Sequence, residues 1–68
     1  MKFIPGTKFK NNTSKNTRFF KKGQIYILNS IRPKDGKVIY TFKVGRELQE
    51  VNFESIEQAE EWLQYIVI

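Results

Sequence analysis

The 68 residues carry a net charge of +5, 40% hydrophobic side chains, six Phe, three Tyr and one Trp, and neither Cys nor His. A chain of this length holds one domain, and without thiols its core has to come from packing alone, mostly of its aromatic rings. Disulfide scaffolds, thiolate or imidazole metal sites and histidine acid–base chemistry are excluded.

The charge is unevenly spread. All twelve Lys and Arg fall in residues 1–46, where Asp35 is the sole acid, and residues 47–68 hold six Glu and no base. Such asymmetry bears on partners and solubility rather than on fold. No stretch approaches the roughly 18 apolar residues of a membrane span. MKFIPGTKFK also lacks the apolar centre of a signal peptide. A soluble, cytoplasmic protein that engages no membrane is expected.

Along the chain, Pro5-Gly6 is turn chemistry, and a short first strand is expected over residues 7–10. NNTSKNT, residues 11–17, contains no apolar side chain and reads as a solvated connector. It is also the longest featureless stretch and so the place for a binding loop. RFF, residues 18–20, reads as a short extended piece. After Lys21-Lys22-Gly23 comes the central strand, 24–31. Ile25, Ile27 and Ile31 point to one side and Tyr26 and Leu28 to the other, so it is expected to be buried on both faces, with the rest of the chain wrapped around it.

Pro33 and then Asp35-Gly36 predict a hairpin with Gly36 in the left-handed region. Over residues 37–44, Val38, Tyr40, Phe42 and Val44 alternate with Lys37, Ile39, Thr41 and Lys43, which predicts a strand dry on one side and mostly wet on the other. Gly45-Arg46 turns into a last strand over 47–53. Ser55-Ile56-Glu57-Gln58 fits a capping box, with the serine hydroxyl on the N3 amide and Gln58 reaching back to the cap amide. A helix is expected over about 56–66, with Ile56, Ala59, Trp62, Leu63, Ile66 and Val67 in one apolar arc and an acidic face toward water.

Short antiparallel strands with tight turns and one capped helix predict a mainly β domain. The favoured architecture is a small barrel with a helical lid, in which the doubly apolar central strand fills the barrel with one face and lies under the helix with the other. The alternative is an open four-stranded antiparallel sheet with the helix across one face. FKKGQIYIL followed by DGKVIYTF, within residues 18–53, resembles the entry strand and hairpin of SH3-like small barrels, including the KOW-type modules of ribosomal and transcription proteins. Gly23 and Gly36 stand in matching places, while the rest of the KOW glycine spacing is missing. The resemblance implies an SH3-like small antiparallel barrel. In its Lys- and Asn-rich style the chain is also similar to short proteins encoded by tailed phages.

Catalysis finds little to work with. Thr13, Ser14 and Lys15 sit in a polar loop where nothing desolvates the amine, and the glutamates line one wet helix face rather than a cleft. No glycine-rich phosphate loop occurs. No enzyme, cofactor or metal site is expected. What remains is binding by the basic half. Lys8, Lys10, Lys15, Arg18, Lys21 and Lys22 form the candidate anion-facing set, with Phe9 and Phe19 as contact rings. An acidic protein surface is the favoured partner, because nine of the twelve bases are Lys, which supplies diffuse charge rather than bidentate recognition. Nucleic acid on the same loops is the alternative.

Overall fold

A computed structural model describes residues 2–13 and 18–68. Four strands form one antiparallel sheet in chain order: β1 (Lys8–Lys10), β2 (Ile25–Lys34), β3 (Lys37–Val44) and β4 (Glu47–Phe53). The helix α1 (Ile56–Leu63) follows and lies across one face. β1 and β4 are the two outer strands and do not pair. The arrangement is therefore the open sheet with a helix on one face, rather than a closed SH3-like barrel. The chain end accounts for this. The Lys10 amide donates to the Ile66 carbonyl (2.8 Å) and the Ile68 amide to the Lys8 carbonyl (3.1 Å), so residues 66–68 occupy the outer edge of β1 where closure would have to occur.

The strand buried on both faces is β3, not β2. Val38, Ile39, Tyr40, Thr41 and Phe42 are buried in succession. In β2 only Tyr26 and Leu28 are buried, while Ile25 is 45% exposed. β3 has a full-length neighbour on each side. β2 has only three-residue β1 on its outer side, and α1 covers just the inner face. Ile39 and Thr41 fall on the side of β3 that the alternation makes mostly wet, yet both are buried. They are covered because Arg32 on β2 and Glu50 on β4 meet across β3, with Nη2 and Oε2 2.5 Å apart. Ile31 also changes side. The register of β2 on β3 shifts between Leu28 and Ser30, and the extra residue turns Ile31 to the inner face, opposite Tyr40.

Residues 18–20 form a turn, not a strand. Their carbonyls are spent on side chains: Gln49 Nε2 donates to the Phe19 carbonyl (2.7 Å) and Asn11 Nδ2 to that of Phe20 (2.7 Å). The turn thereby drives the Phe20 ring, fully buried, into the core. There it stacks on half-buried Trp62 (centroids 5.0 Å apart, planes at 26°) and meets Tyr26 and Phe42 edge-on. Phe42 is the hub of this inner layer, with rings of Phe9, Phe20, Tyr26 and Tyr40 around it. Ala59, Leu63 and Ile66 close the layer from above.

The β2–β3 turn is tighter than its glycine alone suggests. Asp35 (φ 51°) and Gly36 (φ 78°) are both left-handed, the type I′ geometry whose twist matches the strands. Open space surrounds the position of a Cβ on Gly36, so a substitution there is strained by its backbone alone. Gly36→Val is expected to cost about 2 kcal/mol and Asp35→Ala about 1 or less, since a β-branched residue tolerates positive φ worst. Urea midpoints check the order, and equal losses would contradict this turn geometry.

At the helix start, Ser55 is extended (φ −157°, ψ 165°) and its Oγ accepts from the Gln58 amide at 3.1 Å. The return bond of the box is displaced by one residue: Gln58 Oε1 accepts from the Glu54 amide (2.8 Å), ahead of the cap rather than on it. Ser55→Ala is expected to lower stability by about 1 kcal/mol. An unchanged thermal midpoint would count against the cap. The helix stops at Leu63 rather than near 66. The Tyr65 and Ile66 amides fold back to the carbonyls three residues earlier, and this turn sends the chain to β1.

Candidate partner-docking surface

Sheet register decides which cations share a surface. Lys8 pairs with Ile27, Ile27 with Lys43, and Lys43 with Leu48, so these four side chains stand in one row across all four strands. Lys10 and Ile25 form the next row. Phe9, Tyr26, Phe42 and Gln49 alternate with them and point inward, toward α1. The row therefore lies on the outer face, away from the helix. Leu48 is 62% exposed there. Lys8, Lys10 and Lys43 form no ion pair among the described residues, where the pairs are Arg32–Glu50 and Lys37–Glu54 (3.5 Å).

The predicted set is divided by this arrangement. Lys8 and Lys10 stand on the outer face. Phe9, 0% exposed, is removed from any interface: its ring packs edge-on against Phe3 (5.2 Å) and Phe42 (5.8 Å). A three-residue strand flanked by lysines has one inward side chain, and in β1 it is this ring. Lys15 lies outside the described residues. Arg18 lies over the Phe19 ring (5.5 Å), and both are held on the inner side of the sheet through the bond from Gln49. Lys21 and Lys22 are exposed beside the end of β1. The Lys21 amide donates to the Tyr26 hydroxyl (2.7 Å), and Lys22 bridges to Asn11.

Sequence reasoning missed Lys43 and the aliphatic residues beside it. Alternation over 37–44 assigns Lys43 to the outer side of its strand. Only the pairing of β1 and of β3 with β2 sets it across Ile27 from Lys8, and residue-by-residue pairing between distant segments leaves no local signal.

Three glutamates lie on the other side, on α1, whereas Glu50 stands on the outer face and is held by Arg32. Glu57 and Glu61 are exposed on α1, and Glu60, partly buried, accepts from the Lys2 amide. Tyr40 is buried and its hydroxyl has no hydrogen-bond partner among the described residues. Burial, and after it the Glu60 carboxylate, push the phenol above its usual range, so it stays protonated. The sheet thus separates the lysine rows of its outer face, where the Glu50 carboxylate is taken by Arg32, from an acidic helix.

Two shallow hollows flank the outer row and the helix start. One lies between Asn29, Arg32, Thr41 and Leu48 on the outer face. The other, more apolar, lies between Ile31, Pro33, Val38 and Ile56 on the inner face. Among the described residues no group of three or more acids gathers to hold a metal ion, and no helix is long and apolar enough to cross a membrane. No protein-family model, curated protein or solved structure matches this chain.

Proposed function

We infer that the protein is a small non-enzymatic binding module, of a regulatory or inhibitory kind, that docks an acidic surface of a partner protein. The observation that carries this is the unneutralised charge: among the described cations only Arg32 and Lys37 meet a carboxylate of the chain itself. A small domain that leaves Lys8, Lys10, Lys21, Lys22 and Lys43 unpaired on its surface, ties the outer-face Glu50 to Arg32, and carries Glu57, Glu60 and Glu61 on the helix at the opposite side, has the charge layout for oriented encounter with an anionic partner.

A nucleic-acid partner fits less well. Binding of single strands rests on rings that stack on bases, and here most rings are spent on the core. Among the described residues the exposed rings are Phe19, under Arg18, and Tyr65, just past the end of α1, and the outer face has none.

Oligonucleotide binding over a salt series, beside capture from nuclease-treated lysate, separates the two partners. The expected result is negligible oligonucleotide binding at physiological salt and capture of an acidic protein, released by salt. The double reversal Lys21→Glu/Lys22→Glu, in exposed turn positions, should leave the melting curve nearly unchanged and weaken low-salt binding to anions of either kind. Tight oligonucleotide binding at physiological salt, falling steeply as salt rises, would replace the protein partner by nucleic acid.

A further inference from the structure

We propose that the outer face of the sheet is the docking surface, and that its occupant is an acidic amphipathic helix of the partner protein, with an apolar stripe seated on Ile25, Ile27 and Leu48 and carboxylates meeting Lys8, Lys10 and Lys43. The inference rests on the reading of the protein as a module for acidic protein surfaces and adds where and what it binds.

Three features of the face lead to this occupant. The first is its mixed chemistry. Exposed Ile25 and Leu48 and half-buried Ile27 share two adjacent rows with three lysines that have no carboxylate among the described residues. Lysine stems lie readily along apolar surface while their ammonium groups stay at its rim, so an apolar stripe flanked by acids is the complementary shape. The second is the state of the backbone. In β2 and β3, each paired on both sides along this half of the sheet, the ladder already uses the amides and carbonyls. An extended peptide laid on the face would find no main-chain partners there, whereas a helix satisfies its own backbone and packs on a sheet through side chains. The third is vacancy on one side only. The protein's own helix and the Phe3 and Phe20 rings cover the inner face, and residues 66–68 cover the outer edge of β1. No segment among the described residues lies over the Ile25–Leu48 rows. A helix there would complete a helix–sheet–helix sandwich.

The probe is a capped synthetic peptide of about five helical turns, with Leu at helical spacing on one face and Glu along both flanks. Its twin carries Gln for every Glu, and a third peptide keeps the Glu and replaces each Leu by Ser. Binding is followed by amide chemical shifts of the protein and by calorimetry. The expected result is binding of the Leu/Glu peptide alone, with shifts concentrated at residues 8–10, 25–27, 43 and 48. Lys8→Glu/Lys43→Glu and, separately, Leu48→Ser should each weaken it by about tenfold or more, while Lys21→Glu/Lys22→Glu should change it by no more than about twofold at physiological salt. Leu48 and both lysines are exposed, and an unaltered amide spectrum confirms that each variant is folded. Shifts confined to the 18–22 turn, or to the inner hollow at Ile31 and Ile56, would overturn the proposed face while leaving the acidic-protein reading intact. Failure of all three peptides would also overturn it. If that failure came with tight oligonucleotide binding, the acidic-protein reading would fall as well.

Discussion

Phe42→Ala is expected to leave the protein largely unfolded at room temperature. The ring is fully buried in β3 and contacts four others, with centroids 5.1 Å from Phe20, 5.8 Å from Phe9, and 6.3 Å from Tyr26 and Tyr40. Those rings come from β1, the 18–20 turn, β2 and β3, so the residue ties four segments together. Truncating a buried Phe costs roughly 3–5 kcal/mol, from lost transfer energy and from the cavity that remains. A single core of this size rarely supplies more than about 3–5 kcal/mol in total. Two controls separate packing from general sensitivity. Phe42→Leu, which keeps an apolar side chain of moderate volume, is expected to fold with a lowered midpoint. Leu48→Ala, on the outer face, should lie within about 0.5 kcal/mol of the parent. A Phe42→Ala protein with native near-UV dichroism and dispersed amide resonances would show that the core does not depend on this hub.

What the sequence discloses about this fold follows the range of the interaction involved. β3 and β4 stand where their alternation places them, and α1 starts at its cap, because these features are set by neighbours within a few residues. The I′ turn is likewise written in Asp35-Gly36. Between-segment facts are not. The rule that a doubly apolar strand is the buried one picked β2. Burial instead followed the number of flanking strands and the Arg32–Glu50 pair, and neither is visible until the sheet is assembled. A one-residue bulge at Asn29 undid the face assigned to Ile31. The candidate surface was partly legible for the same reason. Composition marks the basic half, but register selects Lys8, Lys10 and Lys43 from it and sends Phe9 inside. Trp62 lies between these cases. Its place in the apolar arc of the helix predicts a ring set against the core, and it is half-buried, while its stacking partner Phe20 comes from a turn that the sequence reads as an extended piece.

Asn11→Ala is expected to cost about 2 kcal/mol, although it removes a polar side chain from a segment that reads as a solvated connector. The first residue of that segment is one of the most buried in the protein, with 0% of its surface exposed. Its two ends do different work. Nδ2 donates to the Phe20 carbonyl (2.7 Å), and Oδ1 accepts from the Thr13 amide (3.0 Å) and hydroxyl (2.9 Å). Its own carbonyl accepts from the Gly23 amide (2.9 Å). One amide group thus joins the chain as it leaves β1 to the turn that returns to β2, and it fixes the turn that holds Phe20 against Trp62. Replacing it by Ala strands the Phe20 carbonyl without its donor, and a buried acceptor left unpaired costs more than the mean value of a hydrogen bond. Leaving Phe20 free to shift should also expose the indole, so the Trp62 emission of the folded variant should move to longer wavelength. Asn12→Ala is the matched control: the neighbouring side chain is exposed, and its removal should change the urea midpoint by less than about 0.5 kcal/mol equivalent. Equal midpoints for the two variants, with unchanged emission, would mean that the Phe20 turn is held by its ring alone and that the Asn11 amide adds nothing to the fold.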